Sequence, residues 1–243
     1  MRGLSREKQH WGDVLPQLQA LFAPEPCEAI DFTGAGDRYY VKPPLSVAAI
    51  ADECLENVLS FEPPYRFIGL SMGAMVTLAM SQKIDIDRMV LINTSLRNLS
   101  PFYERLHWSV IPVVIQCLFT QDRLKRERAI LQLTSGIADQ KWGIIPTWCQ
   151  IQALHPVSLA NALRQLYAAS RFEFRGNSGA RTLVISSRND QLVDSQCSRA
   201  LAQLLQADVR MHPWAGHDLP LDDPAWLIDT IMEWFTPSVA TST

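Results

Sequence analysis

This sequence is short of cysteine pairs, of excess charge and of long apolar runs, and each shortage removes a class of function. The five cysteines, Cys27, Cys54, Cys117, Cys149 and Cys197, are scattered, odd in number and never spaced C-x-x-C. That pattern supports neither a disulfide framework nor a zinc knuckle, and it fits a reducing compartment. A formal net charge of −3 gives no reason to expect a basic surface for nucleic acid or acidic lipid. The basic run RLKRER at 123–128 reads as a solvated helix face. The opening residues lack the apolar stretch of a signal peptide. The most apolar segment, WSVIPVVIQCLF at 108–119, is too short to span a bilayer. A soluble, cytoplasmic protein without integral membrane contact is the expectation.

Cofactor signatures are equally scarce. There is no GxxxxGK[ST], no HExxH and no spaced Cys/His cluster, so neither a metal nor an organic cofactor is expected. The G-x-G of FTGAGD at 32–37 is followed by Tyr39 where a dinucleotide fingerprint needs glycine, and it reads as a turn.

What is present is a globular composition over 243 residues, 47% hydrophobic and 19% charged, enough for a substantial core. Strand-like and helix-like patterns alternate, which predicts a mostly parallel sheet flanked by helices. A helix is expected over 11–22, with Pro16 an obstacle if it lies beyond the first turn. CEAIDF at 27–32 reads as a strand, 46–60 as a helix, YRFIGL at 65–70 as a strand and RMVLINT at 88–94 as another. From 96 to 170 the patterns turn helical. RTLVISS at 181–187 then restores a strand, followed by a helix over 194–206 capped by Asp194, the strand DVRMHP and a helix in DDPAWLIDTIMEWF. The tail after Phe235 reads as frayed. The expected organisation is an α/β core of residues 1–95 and 171–243 with a helical lid inserted at 96–170.

The informative stretch is GLSMG at 69–73, which falls where a strand becomes a helix. So sharp a reversal leaves no room for side chains at the flanking positions, and it lifts the Ser71 hydroxyl to a helix N-terminus. A serine needs a base, and the base an orienting acid, to act as a nucleophile. Among five histidines, His217 alone lies in a glycine-containing loop beyond the last strand pattern, where Gly216 would let the loop swing. His212 ends that strand before a proline and reads as structural. Asp190 follows the strand at 181–187, whereas Asp194 suits a helix cap and Asp218, adjoining His217, should point away.

With Ser71, Asp190 and His217 in that order, the chain resembles the α/β-hydrolase superfamily, in particular its serine esterases and lipases with a small helical lid. The resemblance rests on GLSMG, SSRNDQLVD, AGHDLPLDDPAW and IDFTGAGD. It implies Ser71 as nucleophile, Asp190 as acid, His217 as base and the Met72 backbone N–H as one oxyanion donor. The second donor comes from a loop that MRGLSREKQHWG resembles, with Arg2-Gly3 in place of His-Gly, which points to the Leu4 N–H. The family's first three strands would precede this loop and are missing from the sequence. A natural start upstream, a rearranged sheet or a chain that no longer catalyses would each account for that.

The resemblance implies hydrolysis of small to medium, apolar carboxylic esters through an acyl-enzyme, without cofactor or metal. Thioester or C–C bond hydrolysis would use the same three residues, and a non-catalytic relative would hold a ligand instead. Serine at position 71 argues against dehalogenase or epoxide hydrolase chemistry, which use a carboxylate there. His155 has Ala160 where the acyltransferase pattern H-x-x-x-x-D needs aspartate. Phe102, Trp108, Leu118 and Trp142 are the lid residues expected to contact substrate, giving a hydrophobic acyl pocket.

Overall fold

Residues 1–235 are described by the computed structural model. Among them, four strands form one sheet in the order β1 (Tyr65–Leu70), β2 (Ile86–Ile92), β3 (Arg181–Ser187) and β4 (Asp208–His212). Every pairing is parallel, with Ile68 opposite Val90, Val90 opposite Leu183 and Ile185 opposite Arg210. All four carboxyl ends therefore open on the same rim, where ligands of such sheets bind.

The central strands are apolar without interruption, as strands covered on both faces must be. In β2 the side chains alternate between two cores. Met89 and Leu91 pack with α2 (Val47–Val58), α3 (Met72–Met80) and α9 (Ser195–Leu205), while Val90 and Ile92 pack with α1 (Val14–Phe22) and α11 (Pro224–Phe235). All nine residues of α3 are buried, so it is enclosed all round rather than amphipathic. Between β2 and β3 the chain forms α4 (Phe102–Arg105), α5 (Ile111–Phe119), α6 (Arg123–Thr134), α7 (Ile145–Leu154) and α8 (Leu159–Arg171). Leu131 of α6 and Ile145, Trp148 and Ile151 of α7 make a small core of their own. The short α10 (Leu219–Asp222) precedes α11.

Asp194 caps its helix as expected, and Ser46 and Asp223 do the same for theirs. Ser46 accepts from the Ala49 N–H, Asp194 from the Gln196 N–H and Asp223 from the Trp226 N–H. Helix α1 starts at Val14 rather than Trp11, because Gly12 turns the chain at φ 52° after a 3₁₀ turn over Lys8–Trp11. Pro16 then falls in the first turn, where its missing N–H has no intrahelical acceptor to serve. β2 ends at Ile92 instead of Thr94, since Asn93 leaves the strand at φ 46°.

The expected strand at 27–32 is not formed. Its segment and the β1 residues Arg66, Phe67 and Ile68 line one cavity of about 650 Å³, and no backbone hydrogen bond joins the two among the described residues. Among the described residues, Met1 bonds to β1 on that edge, its N-terminal amine donating to the Ile68 carbonyl (2.8 Å) and its carbonyl accepting from the Leu70 N–H (3.1 Å). All five cysteines are free. No helix among the described residues is long and apolar enough to cross a membrane. The expectation of a frayed tail concerns residues outside those described.

Candidate active site

Ser71 joins β1 to α3 with φ 56° and ψ −117°, a region that costs a residue with a side chain about 1–3 kcal/mol. Its surroundings hold it there. The Ser71 N–H donates to the Ile92 carbonyl (2.8 Å), and the Thr94 hydroxyl donates to the Ser71 carbonyl (2.9 Å). The flanking glycines are required by contact. A Cβ on Gly69 would stand 2.6 Å from the Ala74 nitrogen, and one on Gly73 would stand 2.4 Å from the Met1 carbonyl oxygen. Gly3 packs directly on the serine, its would-be Cβ 3.2 Å from Ser71 Cβ. The amides of Met72 and Leu4 meet no acceptor among the described residues.

On the same rim, His217 Nδ1 and Asp190 Oδ2 lie 2.7 Å apart. Asp190 follows β3, and its other oxygen accepts from the Leu192 and Val193 amides (2.8 and 3.0 Å). A carboxylate so bound is an acceptor only, which puts the imidazole proton on Nδ1 and leaves Nε2 with a lone pair. Burial disfavours the imidazolium of His217. The Asp190 charge and hydrogen bond, helped by Asp218, outweigh that loss and raise its pKa above the ordinary value. No hydrogen bond from Ser71 Oγ to His217 is formed among the described residues, although both side chains line one cavity. Such contacts commonly tighten only when substrate is bound.

Three residues that sequence reasoning passed over hold these loops together. Asn93 Nδ2 donates to the Ser187 hydroxyl (3.0 Å) and the His217 carbonyl (2.9 Å), while its Oδ1 accepts from the Ser187 N–H (2.8 Å). The buried carboxylate of Asp222 accepts from the Gly136 and Gly216 amides, both at 2.7 Å, and from the Ser135 hydroxyl. It thereby joins the loop after α6 to the histidine loop. Burial raises the pKa of Asp222, its hydrogen bonds opposing. Arg2 Nη2 donates to Asp218 Oδ2 at 2.6 Å, which ties Asp218 to the N-terminal segment. The legible hint was Asn93, since a strand-terminal asparagine tolerates positive φ better than most residues.

Gly216 differs from its expected part. Its φ is not left-handed, so it supplies no special backbone freedom. A Cβ there would stand 2.6 Å from the Thr134 carbonyl oxygen, and close approach of the end of α6 is what requires glycine. His212 is structural, accepting from the Ala215 N–H at Nδ1 (2.8 Å) and facing Asp223 through Nε2 (3.2 Å).

The cavity at Ser71 and His217 encloses about 220 Å³. Of the four expected substrate contacts, Leu118 lines it and Phe102, Trp108 and Trp142 do not. Phe102 and Trp108 pack on each other, ring centres 5.7 Å apart, and Trp108 is 65% exposed. Three of the four expected side chains thus lie elsewhere, and the apolar lining from 96–170 comes from Val114 and Leu118 of α5, Ile130 and Leu133 of α6 and Leu159 of α8. Among the described residues, no three His, Cys, Asp or Glu side chains are grouped to hold a metal ion.

The sequence model of the alpha/beta hydrolase family matches residues 3–230, and the chain belongs to that family. Solved structures of similar fold include a thermophilic esterase from Thermogutta terrifontis, 20% identical, with TM-score 0.70 over 96% of this chain and 86% of that one. The esterase RhEst1 from Rhodococcus sp. ECU1013 is 15% identical, with TM-score 0.72 over 96% and 88% of the two chains. The A129V mutant of CumD, a meta-cleavage product hydrolase, is 18% identical, with TM-score 0.72 over 96% and 87%. No curated protein matches the sequence. At these identities the likeness establishes the fold.

Proposed function

We propose that this chain is a serine hydrolase of carboxylic esters, with Ser71 as nucleophile, His217 as general base and Asp190 as the group that orients and charges the base. The observation carrying the reading is the 2.7 Å His217–Asp190 contact, made by a histidine that shares a cavity with a serine at φ 56°. Ser71 Oγ attacks the ester carbonyl carbon as its proton passes to His217 Nε2. The oxyanion so formed takes hydrogen bonds from the Leu4 and Met72 amides. The ester C–O bond breaks, and the leaving alcohol takes the proton from His217. Water then repeats the sequence on the acyl-enzyme, losing its proton to His217, and the Ser71 oxygen departs with it. Residues 96–170 act as the lid, and the mainly apolar lining suits a small to medium acyl group. Five free cysteines support a cytoplasmic setting.

Incubation with p-nitrophenyl acetate and butyrate and with a fluorophosphonate probe tests the reading. Turnover, with labelling mapped to Ser71 and both lost in Ser71→Ala, is the expected result. Absence of turnover and label together overturns it. The fold shared with CumD favours one second reading, C–C bond cleavage by the same residues. A vinylogous diketone turned over faster than any ester would select it.

A further inference from the structure

The cavity at Ser71 has a charged end. The charged side chains in its lining, His217 aside, are Arg2, Arg6 and Arg126 against Glu127 and Asp218, one positive charge in excess. Each carboxylate is already engaged, Asp218 by Arg2 (2.6 Å) and Glu127 by Arg6 (2.7 Å). Arg126 Nε is 3.9 Å from Glu127, too far for a hydrogen bond.

Donors are also left over. Ten buried side-chain atoms among the described residues have no hydrogen-bond partner, and six belong to this lining: Arg2 Nε and Nη1, Ser5 Oγ, Arg6 Nη2, Arg126 Nε and Asp218 Oδ1. Five of the six can donate. An unmet buried guanidinium N–H is costly, so its concentration around a catalytic cavity calls for an acceptor. The Arg6 head is fixed in advance, lying 4.2 Å over the Trp148 ring and donating to Glu127. Arg2 is 3% exposed and stacks on Trp11. Planar, immobilised guanidinium groups match the bidentate geometry of a carboxylate, the simplest anionic end group for an acyl chain.

Building on the Ser71 hydrolase reading, we infer that the preferred substrate is an ester that itself carries a carboxylate, a half-ester of a dicarboxylic acid. The scissile carbonyl sits at Ser71, and the free carboxylate sits between Arg6 and Arg126, with Ser5 Oγ beside them. Hydrolysis of such a compound breaks the acyl C–O bond. Water supplies hydroxide to the acyl carbon and a proton to the alcohol, and the new acid releases one proton.

Monomethyl adipate and methyl hexanoate have the same chain and differ by that carboxylate. Their kcat/KM values, read by pH-stat, should favour the half-ester, and Arg126→Gln should reduce the preference roughly ten- to a hundredfold. Arg126→Glu should reverse it. A wild-type ratio near one, or a ratio that Arg126→Gln leaves unchanged, overturns the anion site while the hydrolase reading stands. If neither ester is cleaved, the hydrolase reading is the one in difficulty. Calorimetric binding of the same two esters to Ser71→Ala then decides the anion site: selective binding of monomethyl adipate supports it, and equal or absent binding removes it.

Discussion

Two sides of one cavity are held by partners at very different distances along the chain. The elbow at Ser71 is shaped by Gly69 and Gly73, two residues away, and by Ile92 and Thr94, 21 and 23 residues on. The basic wall of the same cavity depends chiefly on distant partners. Arg2 pairs across 216 residues with Asp218, Arg6 across 121 with Glu127, and the neighbouring Ser5 N–H reaches Gln165 across 160. Steric constraints of the first kind leave a mark in adjacent letters. Polar pairings of the second kind leave none, because either partner reads as an ordinary surface charge until the fold brings both inside.

The largest effect should come from breaking the wall. Glu127 is 1% exposed and answers both Arg6 and Arg126. Glu127→Ala should cost about 3–5 kcal/mol of stability, since it strands a buried cation. Adding Arg6→Met should recover much of that loss, because the pair is then removed together. Urea unfolding of the two single variants and the double variant checks it. A cycle with no coupling would mean that the wall is set by packing rather than by charge.

The elbow answers to a smaller change. In Gly69→Ala the new methyl meets the backbone of Ala74 and Gly73 at 2.6 and 2.7 Å, atoms that cannot yield without moving Ser71. Overpacking of that kind should cost about 2–3 kcal/mol and most of the proposed hydrolase activity. Gly3→Ala is the comparison on the wall's side. Its methyl would stand 3.2 Å from Ser71 Cβ, and a shift of a few tenths of an ångström in the N-terminal segment relieves it. Thermal unfolding should rank Gly69→Ala clearly below Gly3→Ala. Equal losses would show that the glycine spacing of the elbow carries no more weight than the loop above it.

How much could be read in advance follows the same division. The strands at 65–70 and 181–187, the helix after Ser71 and the cap Asp194 were legible because each depends on a pattern or side chain within a few positions. The strand expected at 27–32 was not, since a strand exists only where a neighbour bonds to it, and no backbone hydrogen bond joins that segment to β1 among the described residues. Trp108 and Phe102 were misplaced as cavity contacts because apolar character says that a side chain seeks cover, not which neighbour provides it. Asp222 and Arg2 escaped for the reason that governs the wall: their partners are distant.

The smallest predicted effect separates two carboxylates four residues apart. His217 has a raised pKa in the fold, so its base form, on the proposed mechanism, accumulates only above that value. The acid limb of kcat/KM should therefore have its midpoint above the ordinary histidine value of about 6.5. The same shift makes the imidazolium a stabilising group: its contribution is complete below the unfolded pKa and disappears as pH rises through the folded one. Asp190→Asn removes the charge that opposes burial, and desolvation, the larger influence, then draws the midpoint down. Asp194→Ala should leave the limb where it is and cost about 1 kcal/mol, the worth of a lost cap on α9. A pH profile that moves with Asp194 and ignores Asp190 would place the functional acid at the wrong end of this loop. A profile in which only Asp190 matters would bind His217 to that carboxylate as the geometry of the rim requires.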